Sequence, residues 1–177
     1  MIVLSGASAS GKTEVAKMLQ SKYGIVKMIT TTTRAMRVGE ENGKDYFFVD
    51  KETFKKKIEE GAFVEYTVYN DNYYGSGKDQ IANNKCVVID PSGLKSFIAL
   101  NDPNIITFFL DSLEETRFKR MLERGDKLEK AKERIINDRE AFKAENIPEV
   151  DYHIDSETTS VEQVADEVYR IYKSLDI

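Results

Sequence analysis

Residues 6–13 read GASASGKT and stand between the apolar run Ile2–Leu4 and a stretch with helical character. Glycine, four residues, glycine, lysine and threonine in that order suit phosphate chemistry. Gly6 and Gly11 let the backbone wrap an anion, so that successive N–H groups along Ala7, Ser8, Ala9 and Ser10 point inward. A helix beginning near Gly11 adds its positive dipole end. Lys12 can bridge the outer phosphates, and the Thr13 hydroxyl can bind Mg²⁺ beside them. Strand, spacing and helix together predict a loop, Gly6 to Thr13, that holds a nucleoside triphosphate.

A second group of residues points to a second anion. Positions 30–50 read TTTTRAMRVGEENGKDYFFVD, with Arg34 and Arg37 three apart in a chain whose formal net charge is -5. Arginine is suited to bidentate contact with phosphate oxygens. Tyr46 follows, and Tyr73-Tyr74-Gly75-Ser76 supply further hydroxyl donors. Each alone reads equally well as a solvated basic loop or a tyrosine-rich hairpin; together they suggest a site for an acceptor that carries its own phosphate. Arg117, Arg120 and Arg124 recur at three and four, hence on one helix face. Arg117 is expected to be solvated there. Asp90-Pro91-Ser92-Gly93 fits a GTPase switch, but Asn84-Lys85-Cys86-Val87 lacks the aspartate of the guanine-reading motif, which leaves a GTPase a minor alternative.

The elements that must position these groups follow from the hydrophobic pattern. Short apolar runs at 2–5, 86–89, 105–110 and 152–154 alternate with helical stretches at 11–23, 94–100, 113–124 and 161–175. That alternation predicts an α/β fold, a mainly parallel sheet flanked by helices, and the loop at 6–13 after its first strand makes the fold one of the P-loop NTPase type. Two segments break the rhythm. Short alternating runs at 46–49 and 63–69 around a helix at 53–60, with Gly61 as its stop, predict an inserted small mixed α/β lobe that binds the acceptor. The charged stretch 117–142, broken at Gly125-Asp126, predicts a helical lid.

Composition excludes other classes. With 177 residues the chain suits one domain; 26 Lys plus Arg against 31 Asp plus Glu argue against a nucleic-acid polymer as partner. One Cys and one His leave no internal disulfide, multi-His zinc site or Ser-His-Asp triad to expect. No apolar run approaches the ~20 residues that cross a bilayer. The run Ile2–Leu4 ends at once in Ser5-Gly6, so neither a membrane span nor a signal peptide is expected, and the expected location is cytoplasmic.

The stretch T-T-R-x-x-R-x-G-E-x-x-G-x-D-Y-x-F-V, from Thr32 to Val49, resembles the signature of the guanylate kinases. Weaker matches at FVEY (Phe63–Tyr66), NYYGS (Asn72–Ser76) and RMLERG (Arg120–Gly125) extend the similarity over nearly the whole chain. The resemblance implies Mg²⁺-dependent transfer of the ATP γ-phosphate to GMP or dGMP by a monomer or homodimer. It implies a core of residues 1–29, 82–116 and 140–177, a GMP-binding lobe at 30–81 and a lid at 117–139. Arg34, Arg37, Tyr46 and Tyr74 would grip the GMP phosphate. Thr30 (usually Ser in the family), Glu65, Ser76 and Asp90 would contact guanine, and Lys12, Arg120, Arg124 and Arg134 would serve the transfer. The base chemistry agrees, because carboxylates accept from guanine N1–H and N2–H₂ while a hydroxyl can donate to O6.

The chain departs from the family in three places. Val88 and Ser92 replace an Asp and a Gln around Asp90, which leaves Asp90 open to serving either guanine or the metal. Residues 125–133, GDKLEKAKE, are one short of the usual lid, so Arg139 rivals Arg134. Asp155 stands where an Asn commonly lies near the adenine. The remaining alternatives are a kinase of the same fold with another phosphorylated acceptor and a non-catalytic interaction module, the latter opposed by the intact Lys12-Thr13 pair.

Overall fold

The structure, a computed structural model, describes residues 1–175. Strand β1 (Ile2–Ser5) is buried at every position, as an apolar run flanked on both faces by helices must be. It is the middle of a five-stranded sheet together with β2 (Val26–Lys27), β7 (Lys85–Val88), β8 (Ile106–Asp111) and β9 (Tyr152–Asp155), in the order β2-β7-β1-β8-β9. All four pairings are parallel, with Leu4 beside Val88 on one side and Phe108 on the other. This register brings the loops after β1 and β7 together at the carboxyl edge of the sheet, the position where open α/β sheets bind ligands.

Helices cover both faces. On one, α1 (Lys12–Tyr23) buries Val15, Ala16 and Leu19, and α6 (Val161–Ser174) buries Val164, Ala165, Val168 and Tyr172 against the same core. Ser160 and Gln163 form a reciprocal capping box that starts α6 where its apolar periodicity begins. Tyr23 stacks on Tyr169 with centroids 3.8 Å apart and ties the two helices together. On the other face α3 (Pro91–Ile98) packs Leu94 and Phe97 against Val3, Met28 and Val87. This helix starts three residues before its apolar pattern, because Asp90 caps it by accepting the Gly93 N–H at 2.8 Å and Pro91 suits the first turn.

A second, mixed sheet has the order β4-β3-β6-β5, from β3 (Thr31–Thr32), β4 (Phe47–Phe48), β5 (Phe63–Tyr69) and β6 (Asn72–Gly77). Strand β5 coincides with its alternating pattern. Strands β3 and β6 were invisible to that pattern because they are polar, short or glycine-bearing. Asn70 and Asp71, both with positive φ, close the β5–β6 hairpin. Helix α2 (Lys51–Glu59) inserts Phe54 under this sheet, stacked on Phe63 at 4.5 Å, and Gly61 follows it with φ 66°. Finally α4 (Glu114–Glu123) and α5 (Leu128–Ala141) form a hairpin broken at Gly125, where φ is 96°. Among the described residues no helix is long and apolar enough to cross a membrane.

Candidate active site

The loop from Gly6 to Thr13 joins β1 to α1 at the carboxyl edge of the central sheet. Gly6 has φ 145°, and a Cβ there would stand 2.8 Å from the Leu110 carbonyl oxygen, so no other residue fits. Gly11 caps α1 without a side chain, which leaves the first-turn N–H groups facing the cleft for an anion. The Lys12 ammonium is folded back into the loop, donating to the carbonyls of Gly6 at 2.6 Å and Ala7 at 2.8 Å. Burial pulls its pKa down to about 8; the Asp138 carboxylate opposes that fall and the Arg117 guanidinium adds to it.

The α4–α5 hairpin leans over this loop. Arg120 donates to the carbonyl of Ala9 at 3.4 Å and to that of Ser156 at 2.6 Å. Arg124 makes a forked contact with Asp126, and Arg134 approaches the same carboxylate at 3.6 Å. Arg139 instead pairs with Glu114 at the opposite end of the hairpin. Arg117 overturns the expectation of a solvated side chain: it is only 7% exposed and pairs with Asp138 at 2.9 Å. Helical spacing put it on one face with Arg120 and Arg124, but the loop and α5 cover that face at Arg117 and leave Arg124 exposed.

The second cluster assembles around the mixed sheet. The antiparallel register sets Glu65 opposite Ser76, whose hydroxyl donates to the Glu65 carboxylate. Burial raises the Glu65 pKa above the usual carboxylate range; the Ser76 hydrogen bond works against this and the charge of Asp90 adds to it. Thr30, Glu65, Ser76 and Asp90 line one cavity of about 690 Å³. Tyr46 and Tyr74 meet edge to face at 6.2 Å, and the Arg34 guanidinium lies 5.4 Å from the Tyr46 ring centre. Arg37 lies on the exposed loop close by, with its N–H donated to Glu40 at 2.7 Å.

Three clefts run together between these clusters. One of about 420 Å³ lies between the loop, Arg120, Arg124 and the start of α6. The next, about 600 Å³, shares Lys12 with the first and Asp90 with the 690 Å³ cavity. Lys12 therefore stands at the border of the first two clefts, and Asp90 at the border of the second and the third.

Comparison with known proteins agrees with that geometry. The family profile described as Guanylate kinase matches residues 1–174. A guanylate kinase of Anaplasma phagocytophilum (strain HZ) is 33% identical, over 98% of this chain and 86% of the relative. The chain belongs to the guanylate kinase family. A guanylate kinase of Helicobacter pylori (strain ATCC 700392 / 26695) is 35% identical over 77% of this chain and 70% of its own length. The crystal structure of guanylate kinase from Anaplasma phagocytophilum superposes with a TM-score of 0.59 at 30% identity, covering 98% of this chain and 84% of that one. The chain is thus a nucleoside monophosphate kinase, a phosphotransferase.

Two residues of this guanylate kinase site escaped sequence reasoning as functional candidates. Glu40 grips Arg34 with both carboxylate oxygens, at 2.6 and 3.0 Å, and is held below the usual carboxylate range by that pair and by the Arg37 N–H. Its signal was present as the Glu of R-x-x-R-x-G-E. Asp138, on α5, accepts the N–H and the hydroxyl of Ser8; no local pattern marked it. The Asp155 carboxylate is taken by the Glu157 N–H at 2.7 Å and the Thr158 hydroxyl at 2.6 Å, so it shapes the turn after β9, next to Ser156, which lines the 420 Å³ cleft.

Proposed function

We propose that the enzyme transfers the γ-phosphoryl group of ATP to GMP or dGMP, giving ADP and GDP or dGDP. The observation that carries this reading is that Lys12 lines both the loop cleft and the neighbouring cleft, which shares Asp90 with the cavity built on Glu65 and Ser76. Backbone N–H groups of the loop and the α1 N-terminus hold the donor phosphates. Lys12 turns from the Gly6 and Ala7 carbonyls onto the phosphates when the nucleotide enters. The acceptor phosphate is taken by Arg34, Arg37, Tyr46 and Tyr74. Guanine is read by Glu65 and Asp90, which accept from N1–H and N2–H₂, with Thr30 beside them and the Ser76 hydroxyl turning from Glu65 to donate to O6. Asp90 does this with what its capping role leaves free, one oxygen being used by Gly93. Adenine has no N1–H, so it would leave a carboxylate oxygen without its donor.

The Thr13 hydroxyl, in the first turn of α1, offers a hard oxygen ligand that suits Mg²⁺ arriving with the nucleotide's phosphate oxygens. When bound, the ion supplies charge neutralisation on the phosphates. The protein's own residues hold donor and acceptor in line and exclude water. Arg120, Arg124 and Arg134 add positive charge from the α4–α5 lid. Arg134 is preferred to Arg139 because it shares Asp126 with Arg124, whereas Arg139 is engaged by Glu114. Residues 30–81 form the acceptor lobe, 117–139 the lid, and 1–29, 82–116 and 140–175 the core, the last two positions of the 140–177 segment lying outside the described residues.

Offering GMP, dGMP, AMP, UMP and CMP in turn with ATP and Mg²⁺ tests the assignment. ADP is expected with the two guanine nucleotides; its absence with GMP would overturn the reading. The phosphate clamp has its own test. Arg34→Ala should raise the KM for GMP by roughly ten- to a hundredfold, the loss of a charge-assisted hydrogen bond, with the KM for ATP little changed. An unchanged GMP KM would remove Arg34 from the acceptor site.

A further inference from the structure

We propose that Asp138 and Arg117 are positioning residues that fasten the phosphate loop to the foot of the α4–α5 hairpin and so hold it in its anion-ready shape before the nucleotide arrives. The inference rests on the assignment of residues 6–13 to the donor triphosphate. It adds two positioning residues to that site.

The Ser8 peptide is held from both sides. Its N–H donates to Asp138 Oδ2 at 2.9 Å, its hydroxyl to Asp138 Oδ1 at 3.0 Å, and its carbonyl accepts from Arg117 Nη1 at 3.4 Å. Arg117 and Asp138 bond to each other at 2.9 Å, and Arg117 Nε donates to the Ser112 carbonyl at 3.3 Å. Both side chains are nearly buried, at 7% and 8% exposure for the residues. Such a pair is a poor way to stabilise a fold, since desolvation cancels most of the Coulomb attraction and apolar residues of similar volume do as well or better. What apolar residues could not supply is the acceptor for two Ser8 donors.

The loop needs that acceptor. Ala9, the next residue, has φ 61°, a left-handed conformation that an alanine keeps only when its surroundings enforce it. Asp138 fixes the residue before Ala9, and Arg120 holds the Ala9 carbonyl itself. Ser10 then turns back to donate its N–H to Ala7 at 3.2 Å, completing the ring of carbonyls that cradles Lys12. Arg117 lies in the first turns of α4 and Asp138 near the end of α5, so both belong to the foot of the hairpin. Arg124 and Asp126, at the tip, lie outside the clamp and pair with each other.

The double variant Arg117→Leu/Asp138→Ala tests this without stranding a buried charge. We expect Tm close to that of the parent enzyme, faster amide exchange at residues 7–10, a KM for ATP raised about tenfold, and an unchanged KM for GMP. Parent-like amide exchange and ATP kinetics in a folded double variant would overturn the proposal, because the pair would then be packing alone. Equal losses for ATP and GMP would overturn it as well. If the double variant does not fold, Ser8→Ala decides: it keeps the ion pair and removes one Asp138 bond, and should raise the ATP KM a few-fold at unchanged Tm, whereas parent-like kinetics would reject the clamp. Failure of the loop assignment is read separately, from Lys12→Met.

Discussion

Lys12→Met is expected to leave the fold and GMP binding intact while lowering kcat by on the order of a hundred- to a thousandfold, the usual cost of removing one preorganised donor from a developing charge. Methionine is unbranched like lysine and one atom shorter. Gly6, whose carbonyl holds the ammonium at 2.6 Å, lines the cleft, where water can replace it, and the Ala7 carbonyl keeps its hydrogen bond from the Ser10 N–H. The substitution therefore subtracts charge rather than packing. Because that charge is needed most when the phosphoryl group is between donor and acceptor, kcat and kcat/KM should fall together. Steady-state kinetics at saturating GMP, with Tm as the control, provides the measurement. A variant with full turnover would show that the transfer does not pass Lys12.

Glu65→Gln should act on the other substrate. The carboxylate opposite Ser76 is proposed to accept from guanine, and an amide presents an N–H₂ where an acceptor is needed. The KM for GMP is expected to rise roughly ten- to a hundredfold, with ATP binding nearly unaffected. Equal losses for both nucleotides would place Glu65 outside the base site. The same residue predicts a pH dependence. Burial raises its pKa, so the charged, accepting form is lost at a higher pH than for an exposed glutamate. As pH falls through that raised value, GMP affinity should fall in the parent enzyme. In Glu65→Gln, which has no proton to gain there, this limb should flatten.

The parts of the fold read most directly from sequence are those whose signal is local. Strand β1 and the loop after it lie within thirteen residues, and each residue type has its own reason to be there. Strand β5 and helix α6 followed their alternation and their three-and-four periodicity. By contrast β3 and β6 consist of threonines, tyrosines and glycines whose pairing, not whose apolar pattern, makes them strands. Helix α3 began where a cap and a proline allowed it rather than where its apolar residues began.

The site divides along the same line. The loop's chemistry and the guanylate kinase signature at 32–49 are contiguous, so sequence alone determined the class of enzyme and named the candidate phosphate loop and the candidate acceptor arginines. Tertiary structure decided what those groups touch. Parallel pairing of β1 with β7 puts Asp90 beside the loop, and hairpin register puts Glu65 against Ser76. The fold also brings Asp138 to Ser8 across 130 residues of chain. Helical spacing told which arginines share a face of α4; only packing told that Arg117 is buried on it. Periodicity records the geometry of one element, whereas burial and partnership depend on the elements laid against it, and no single segment carries that information.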